Sequence, residues 1–517
     1  MSPTRSKTWL TPPAPQPPRA PAASYDYIVV GGGTAGVVTA VRLAEAEPSR
    51  RVALIEAGPT DADKPRVRRA ATWMELLFSD LDYDYRIEPQ PRGNSAMRHS
   101  RGRVLGGCSS HNSCIAFRAL DRDLDEWSAL GASGWNAAAC APHYERVLSR
   151  VNVAEQPVDN PFYDDVLDAC AAVGLPRVSF GGGALAPGAG RFQLNVESGE
   201  RQSSSVAYLH RGQVPDNLAL ITDTPVYRVW FEERAAVGVV TAAGALAATE
   251  EVILCAGAFD TPRLLMLSGV GPGEHLAEHG IEAIVDRPGV GENLSDHPEG
   301  VIMWESSAPL PPASTQGWEL GVFARVDPGD GPPDLMFHVG MMPFDMNTRP
   351  WGYPTAAHGF SLTPNVPRAK SRGTVRLRSN HPADDPRIDF RYFTDDEGYD
   401  ERILVEGLLL ARDIVGAEPL SPWVSRELAP GAAVTGRAEL SAFVRATANT
   451  VYHPMGTARM GGAGDPLAVV DPALRVIGAE RLRVADASIF PAPVSVNPAI
   501  TCMMIGERAA DFVMRGA

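Results

Sequence analysis

Apolar residues in this chain fall into short continuous runs that alternate with stretches of helical repeat. Tyr27 to Val30 is a run of β type, and Val37, Ala40, Val41 and Ala44 then recur at helical spacing. A second run, RVALIEAG, ends in Glu56. The pattern returns in LAATEEVILCAGAFDTPRLLMLSGVGP, where Glu251 to Cys255 reads as a buried strand and Ala256-Gly257-Ala258 as a small-residue turn. Thr261 to Ser268 reads there as a helix opened by Pro262. Near the C-terminus, RLRVADASIFP is a strand ending in Asp486, and NPAITCMMIGERAADFVM is an amphipathic helix. Between these α/β pieces the pattern changes. DLMFHVG and GTVRLRS are strand-like, broken by Pro and Gly, and DERILVEGLLLARDIV and AELSAFVRATA are helical.

These runs predict an α/β protein with a discontinuous dinucleotide-binding domain of Rossmann type. An α+β domain is inserted into it, with a mixed or antiparallel sheet backed by helices. The first domain takes residues 25–165, 190–298 and 451–517, and the inserted one takes 166–189 and 299–450. Residues 1–24, Pro-rich and without the apolar core of a signal peptide, read as a disordered tail.

Between the first strand and helix, Gly31, Gly33 and Gly36 have the G-x-G-x-x-G spacing, and Glu56 follows 20 residues after the last glycine. Glycines let the backbone reach a pyrophosphate, the helix N-terminus stabilises its charge, and the acid can bond a ribose diol. This unit does not separate NAD from FAD. Ala485-Asp486 at a strand end, followed by a helix, is a second place to cradle phosphate or ribitol. In RGRVLGGCSSHNSC, small residues make room for something close, and the titratable His111 is set in that space.

A net charge of −15 makes nucleic acid and anionic membrane surfaces poor partners. Six scattered cysteines without CxxC pairs argue against a zinc centre or a disulfide framework. No apolar run reaches membrane-spanning length. The expectation is a cytoplasmic protein with no metal.

YIVVGGGTAG, GRVLGGCSSHNSC, CAGAFDTPRLLMLSGVGP, VYHPMGTARMG and VADASIFPAPVSVNPAITCMMIGERAAD, in this order, resemble the GMC family of FAD oxidoreductases from about residue 25 to the end. WMELL, SSHNSCIAF, SDHPEG, MPFDMNT and NTVYHP are similar to its choline-oxidising members. The resemblance implies FAD bonded covalently through His111, with Gly106, Gly107, Asn112, Ala256, Asp486, Ala487 and Pro498 also at the cofactor. It implies that Ser113 lies near the flavin, that His453 and Asn497 meet the alcohol oxygen, and that His338 positions the substrate. His453 would act as a base or, as imidazolium, stabilise the alkoxide. Trp73, Trp318, Tyr452 and Glu299 match a site for a quaternary ammonium, which aromatic faces and a negative charge hold. Gly317 and Arg118 stand where that pattern has tryptophan, and the segment after Val151 is short. The implied reaction oxidises choline to betaine aldehyde and then glycine betaine, with molecular oxygen reduced to hydrogen peroxide, in a homodimer. An oxidase or dehydrogenase for another primary alcohol or amino alcohol is the alternative, and a hydroxynitrile lyase on the same fold is a third.

Overall fold

The computed structural model describes residues 21–329 and 331–516. Residues 1–20 of the expected tail lie outside the described residues. Ala23 and Ser24 do not belong to a tail: they open the first strand, Ala23–Val30, and pair with Leu246 and Ala247.

That strand is central in a seven-stranded sheet. Val52–Ile55 lies parallel on one side of it, with Leu218–Ile221 parallel beyond. On the other side runs Gly244–Leu254, also parallel. This 11-residue strand has two neighbours on its far edge. Its first half pairs antiparallel with Ala235–Thr241, which in turn pairs with Val226–Glu232. Its last three residues pair parallel with Leu482–Val484. Val52–Ile55 is apolar and buried throughout, and so are the ends of its neighbours, Tyr27 to Val30 and Val252 to Leu254, because both faces are covered there. The helices Thr34–Ala46 and Ala499–Met514 cross on one face, where Thr39 Oγ1 approaches the Gly506 carbonyl at 3.4 Å. The C-terminal helix is therefore part of the dinucleotide-type layer, as its apolar pattern suggested.

The second sheet has eight strands, and every pairing in it is antiparallel. Its path runs Val424–Ala429, Ile302–Ser306, Gly359–Asn365, Leu335–Gly340, Leu320–Ala324, Gly188–Arg191. Two very short strands, Pro298–Glu299 and Asn449–Thr450, pair with each other, and Pro298–Glu299 also pairs with Gly359–Asn365. The helices Pro161–Ala172 and Tyr399–Gly416 pack on one another and on this sheet, and share its apolar core. That helix and the strand Gly188–Arg191 straddle the boundaries expected at 165/166 and 189/190, so we draw the division outside both.

Two elements differ from their sequence patterns. GTVRLRS contributes Thr374–Arg376, which pairs only with Arg387–Asp389 in a separate ribbon. The helix expected from Thr261 begins at Gly257 and runs to Leu267, so Pro262 is interior. Proline lacks the N–H that would bond the carbonyl four residues back. Here the Ala258 carbonyl is taken by the Thr457 hydroxyl at 2.6 Å, which replaces the missing bond.

Candidate active site

One elongated cavity runs between the two sheets. At one end Glu56, just past the strand Val52–Ile55, accepts hydrogen bonds from the amides of Gly32 (2.9 Å) and Gly58 (2.7 Å). Burial still pushes its carboxyl up to about 7. The middle is walled by Gly31, Gly33 and the start of the helix Thr34–Ala46, with Ala256 packed beside Gly31, Gly107 beside Gly33, and Gly257 following Ala256. Asp486 and Ala487 close that wall. The Asp486 carboxylate accepts from the amides of Gly257 and Ser488 and from the Thr261 hydroxyl, stapling the C-terminal segment to the start of the helix Gly257–Leu267. Burial raises its pKa despite these donors.

Two glycines of the motifs do not reach the cavity wall. A Cβ on Gly36 would come within 1.9 Å of the Gly31 carbonyl oxygen, so its place is to let the helix lie against the turn. A Cβ on Gly106 would sit 2.1 Å from Ser110 Oγ, inside a packed serine cluster. Neither lines the cavity, and the space at each is taken by the chain's own atoms. The other eighteen residues singled out from the sequence line the cavity together.

His111 follows the short 3-10 turn Gly107–Ser110 and faces the far half of the cavity. Its Nε2 donates to the Leu76 carbonyl at 2.9 Å, and burial lowers its pKa to about 4, so the ring is neutral and keeps a lone pair. Asn112 and Ser113 line the wall beside it. The Asn112 side chain is turned back, its Oδ1 accepting from the Cys114 amide and from Arg201. Arg201 is fully buried and ties this loop from behind through the carbonyls of Val67 and Asn112. No motif announced it.

Beyond His111 stand His453, Asn497 and Pro498. The hydrogen bonds around His453 set its tautomer. His297 Nε2 lies 2.9 Å from the Val494 carbonyl, which can only accept, so that nitrogen carries the proton. Burial holds His297 neutral, its pKa lowered to about 4, which leaves the lone pair on Nδ1. That lone pair faces His453 Nδ1 at 3.0 Å, so His453 donates there. Burial, with the Arg101 cation nearby, keeps His453 neutral as well. Its lone pair is therefore on Nε2, which accepts from Asn497 Nδ2 at 3.5 Å. The arrangement offers a base and an amide donor at one point on the wall. His297 was passed over in the sequence, although it sits two residues before Glu299.

The inner end is aromatic. Trp73 and Trp318 meet edge to face at 6.3 Å, and Trp318 meets Phe344 at 5.2 Å. Tyr452 lines the same wall and its hydroxyl touches Met346 Sδ at 3.5 Å. Among these rings lies the buried Glu299, whose Oε2 accepts from Asn449 Nδ2 at 3.0 Å. His338 Nδ1 is 3.6 Å from Oε1. Among the described residues no Lys or Arg comes within ion-pair distance of this carboxylate. The glycine at 317, where the sequence pattern has tryptophan, has φ +87°, a conformation that strains any side chain. It lies in a turn wrapped around Glu319, whose carboxylate takes the amides of Thr315 and Gln316 and the Ser314 hydroxyl.

The cavity fits a flavin dinucleotide on three grounds. It carries a carboxylate at one end, a helix N-terminus with close-packed glycine backbone in the middle, and imidazoles at the other. A Cβ on Gly257 would meet nothing within 4 Å, so the wall stands open there. Asn497 Oδ1 and Trp318 Nε1 are buried without a hydrogen-bond partner, as atoms awaiting a ligand are.

Comparison with known proteins agrees. Residues 25–299 and 369–506 match the N- and C-terminal models described as GMC oxidoreductase. A choline oxidase of Arthrobacter globiformis is 50% identical over 514 residues, covering 95% of this chain and 94% of that protein. The mitochondrial choline dehydrogenase of Homo sapiens is 36% identical, covering 95% and 89%. Among solved structures, pyridoxine 4-oxidase from Mesorbium loti superposes with a TM-score of 0.86 at 30% identity, covering 94% of this chain and 98% of that one. Formate oxidase of Aspergillus oryzae, in a structure concerned with FAD modification, gives 0.86 at 26% identity, covering 96% and 99%. Matched in this way over nearly its whole length, the chain belongs to the GMC oxidoreductase family.

Proposed function

We propose that this GMC oxidoreductase is an FAD-dependent oxidase of choline, carrying it through betaine aldehyde to glycine betaine with oxygen as acceptor and hydrogen peroxide as product. The observation that carries the substrate is Glu299: a buried carboxylate set among Trp73, Trp318, Phe344 and Tyr452, held by Asn449 and beside His338, with no Lys or Arg within ion-pair distance among the described residues. A buried carboxylate without a permanent counter-charge is costly. A trimethylammonium group supplies the missing charge without needing a hydrogen bond, and the rings add cation–π attraction of about 0.5–2 kcal/mol each.

FAD, when bound, accepts hydride from the alcohol carbon. The chain does the rest. His453 Nε2 takes the hydroxyl proton, and Asn497 Nδ2 donates to the alcohol oxygen as charge builds on it. His297 holds the proton on His453 Nδ1, so the basic nitrogen is the one facing the cavity. His338, beside Glu299, orients the bound alcohol. The aldehyde hydrate presents the same kind of hydroxyl to the same base, so one site serves both steps. Glu56, Gly31, Gly33, Gly107, Ala256, Asp486 and Ala487 would hold the dinucleotide, and His111, with a neutral imidazole, would be the point of covalent attachment for the flavin, with Ser113 on the same wall. A cytoplasmic homodimer completes this reading.

The test is peroxide release from choline and from 3,3-dimethylbutan-1-ol, which has the same shape and no charge. Choline is expected to have by far the higher kcat/KM. In Glu299→Gln the KM for choline should rise sharply and that for the neutral alcohol little. Equal losses on both substrates would make the carboxylate structural.

A further inference from the structure

We propose that Asn449, itself oriented by Asn347, is a positioning residue that aims the Glu299 carboxylate at the substrate cation. This rests on the choline reading of the site.

Asn449 and Glu299 face each other across the pairing of the two short strands, Glu299 opposite Asn449 and Pro298 opposite Thr450. Both side chains are buried. The terminal torsion of a glutamate is broad, with no rotamer well to hold it, so the direction of its oxygens is set by what they bond. Oε2 takes the Asn449 amide N–H at 3.0 Å. The other oxygen is left 3.6 Å from His338 Nδ1.

An asparagine has two ends of opposite sign, and the one turned to Glu299 decides whether the carboxylate is held or repelled. Asn347 makes that choice. Its Nδ2 donates to Asn449 Oδ1 at 2.8 Å, so the amide oxygen points away from Glu299 and the N–H points toward it. The three residues form one directional chain. Asn347 belongs to the 341–358 crossing, which also gives Phe344 to the cavity wall and Met346 to the Tyr452 hydroxyl. Asn449 is not part of the cavity wall; it acts through Glu299 and, by a second side-chain hydrogen bond, touches Tyr452 on that wall.

The consequence is selective. A quaternary ammonium donates no hydrogen bond, so its attraction to Glu299 is Coulombic and falls with distance. A carboxylate turned aside weakens binding of the cation. It leaves proton removal at His453 and the binding of a neutral isostere untouched.

The holoenzyme with Asn449→Asp places carboxylate against carboxylate in an unchanged shape. Asn347→Asp reverses the preferred direction of the Asn449 amide from a less buried position, and serves should the first variant fail to fold. Flavin content and melting temperature report folding. For each variant the KM for choline is expected to rise by about tenfold or more, the loss of a hydrogen bond to a charged group. The kcat for choline and the KM for 3,3-dimethylbutan-1-ol should stay within about twofold. Parallel changes on both substrates, or none on either, in variants that fold would overturn the proposal. A lack of choline preference in the unmutated enzyme would instead remove the cation site itself, and the proposal with it. That failure is read before any variant is made.

Discussion

The His453 imidazole shows how much chemistry depends on one proton's place. Its ring is basic on the cavity side because a carbonyl two residues removed in the hydrogen-bond chain, that of Val494, can only accept. His453→Ala should slow anaerobic flavin reduction by about two orders of magnitude or more, in the range for losing acid–base help, and Asn497→Ala should cost less. His297→Leu removes the acceptor for the Nδ1 proton and is expected to slow reduction by about tenfold at unchanged flavin content. Stopped-flow reduction by choline measures all three, and an unchanged rate in His453→Ala would assign the proton to another group. At His111 the measurement is acid precipitation. A covalent bond leaves the pellet yellow, and His111→Ala should shed free FAD; a yellow supernatant from the unmutated protein would refute the bond. His111, His453, Asn497 and Glu299 were legible because each sits in a local string of distinctive spacing. His297 and Asn449 were not. Their roles arise only where segments about 150 residues apart lie side by side, at separations of 156 and 150.

At the level of elements, the strand–glycine–helix units could be read because periodicity and turn chemistry are local properties. The helix Gly257–Leu267 was misread at its start for the converse reason. Proline is favoured in a first turn, and nothing within reach of Pro262 in the sequence warns that it is interior. The compensating hydroxyl comes from Thr457, 199 residues beyond Ala258. Thr457→Val should leave the buried Ala258 carbonyl unpaired and cost about 1–3 kcal/mol. Urea unfolding is the measurement, and a change below about 0.5 kcal/mol would mean that the carbonyl finds another partner. Thr374–Arg376 teaches a related lesson. Its strand pattern is real, but a pattern names no partner, and it pairs only in a ribbon apart from the main sheet.

Across the whole molecule, burial lowers the pKa of several interior histidines, His99, His111, His297 and His453 among them. His297 has its pKa lowered by burial to about 4, against about 6.5 in an unfolded chain. Between those values the unfolded chain binds a proton that the folded one refuses. The stability this group contributes is therefore complete above about pH 6.5 and is lost as the pH falls toward about 4. His297→Gln removes that proton from the balance. Its unfolding free energy should fall less steeply over this window, by up to about 1.4 kcal/mol per pH unit. Denaturant melts at several pH values decide it, and identical slopes would show that His297 takes up its proton without unfolding. The dinucleotide-type layer and the antiparallel sheet were foreseeable as architectures. The strand-by-strand order was not, since Gly244–Leu254 changes its neighbour halfway along and no repeat in its own residues marks the change.

The pairing of Pro298–Glu299 with Asn449–Thr450 has a further consequence. His297 immediately precedes one of these strands and His453 follows three residues after the other. On the proposed reading of the site, the anchor for the substrate's charge and the base for its hydroxyl thus hang from one two-rung ladder, whose rungs are fixed by backbone bonds. The ladder works as a ruler. It measures the distance between ammonium and hydroxyl in the substrate, and rigid backbone does not stretch to suit a longer molecule. Lengthening choline by one methylene should leave the head group bound while carrying the hydroxyl past the base, so that turnover falls far more than affinity.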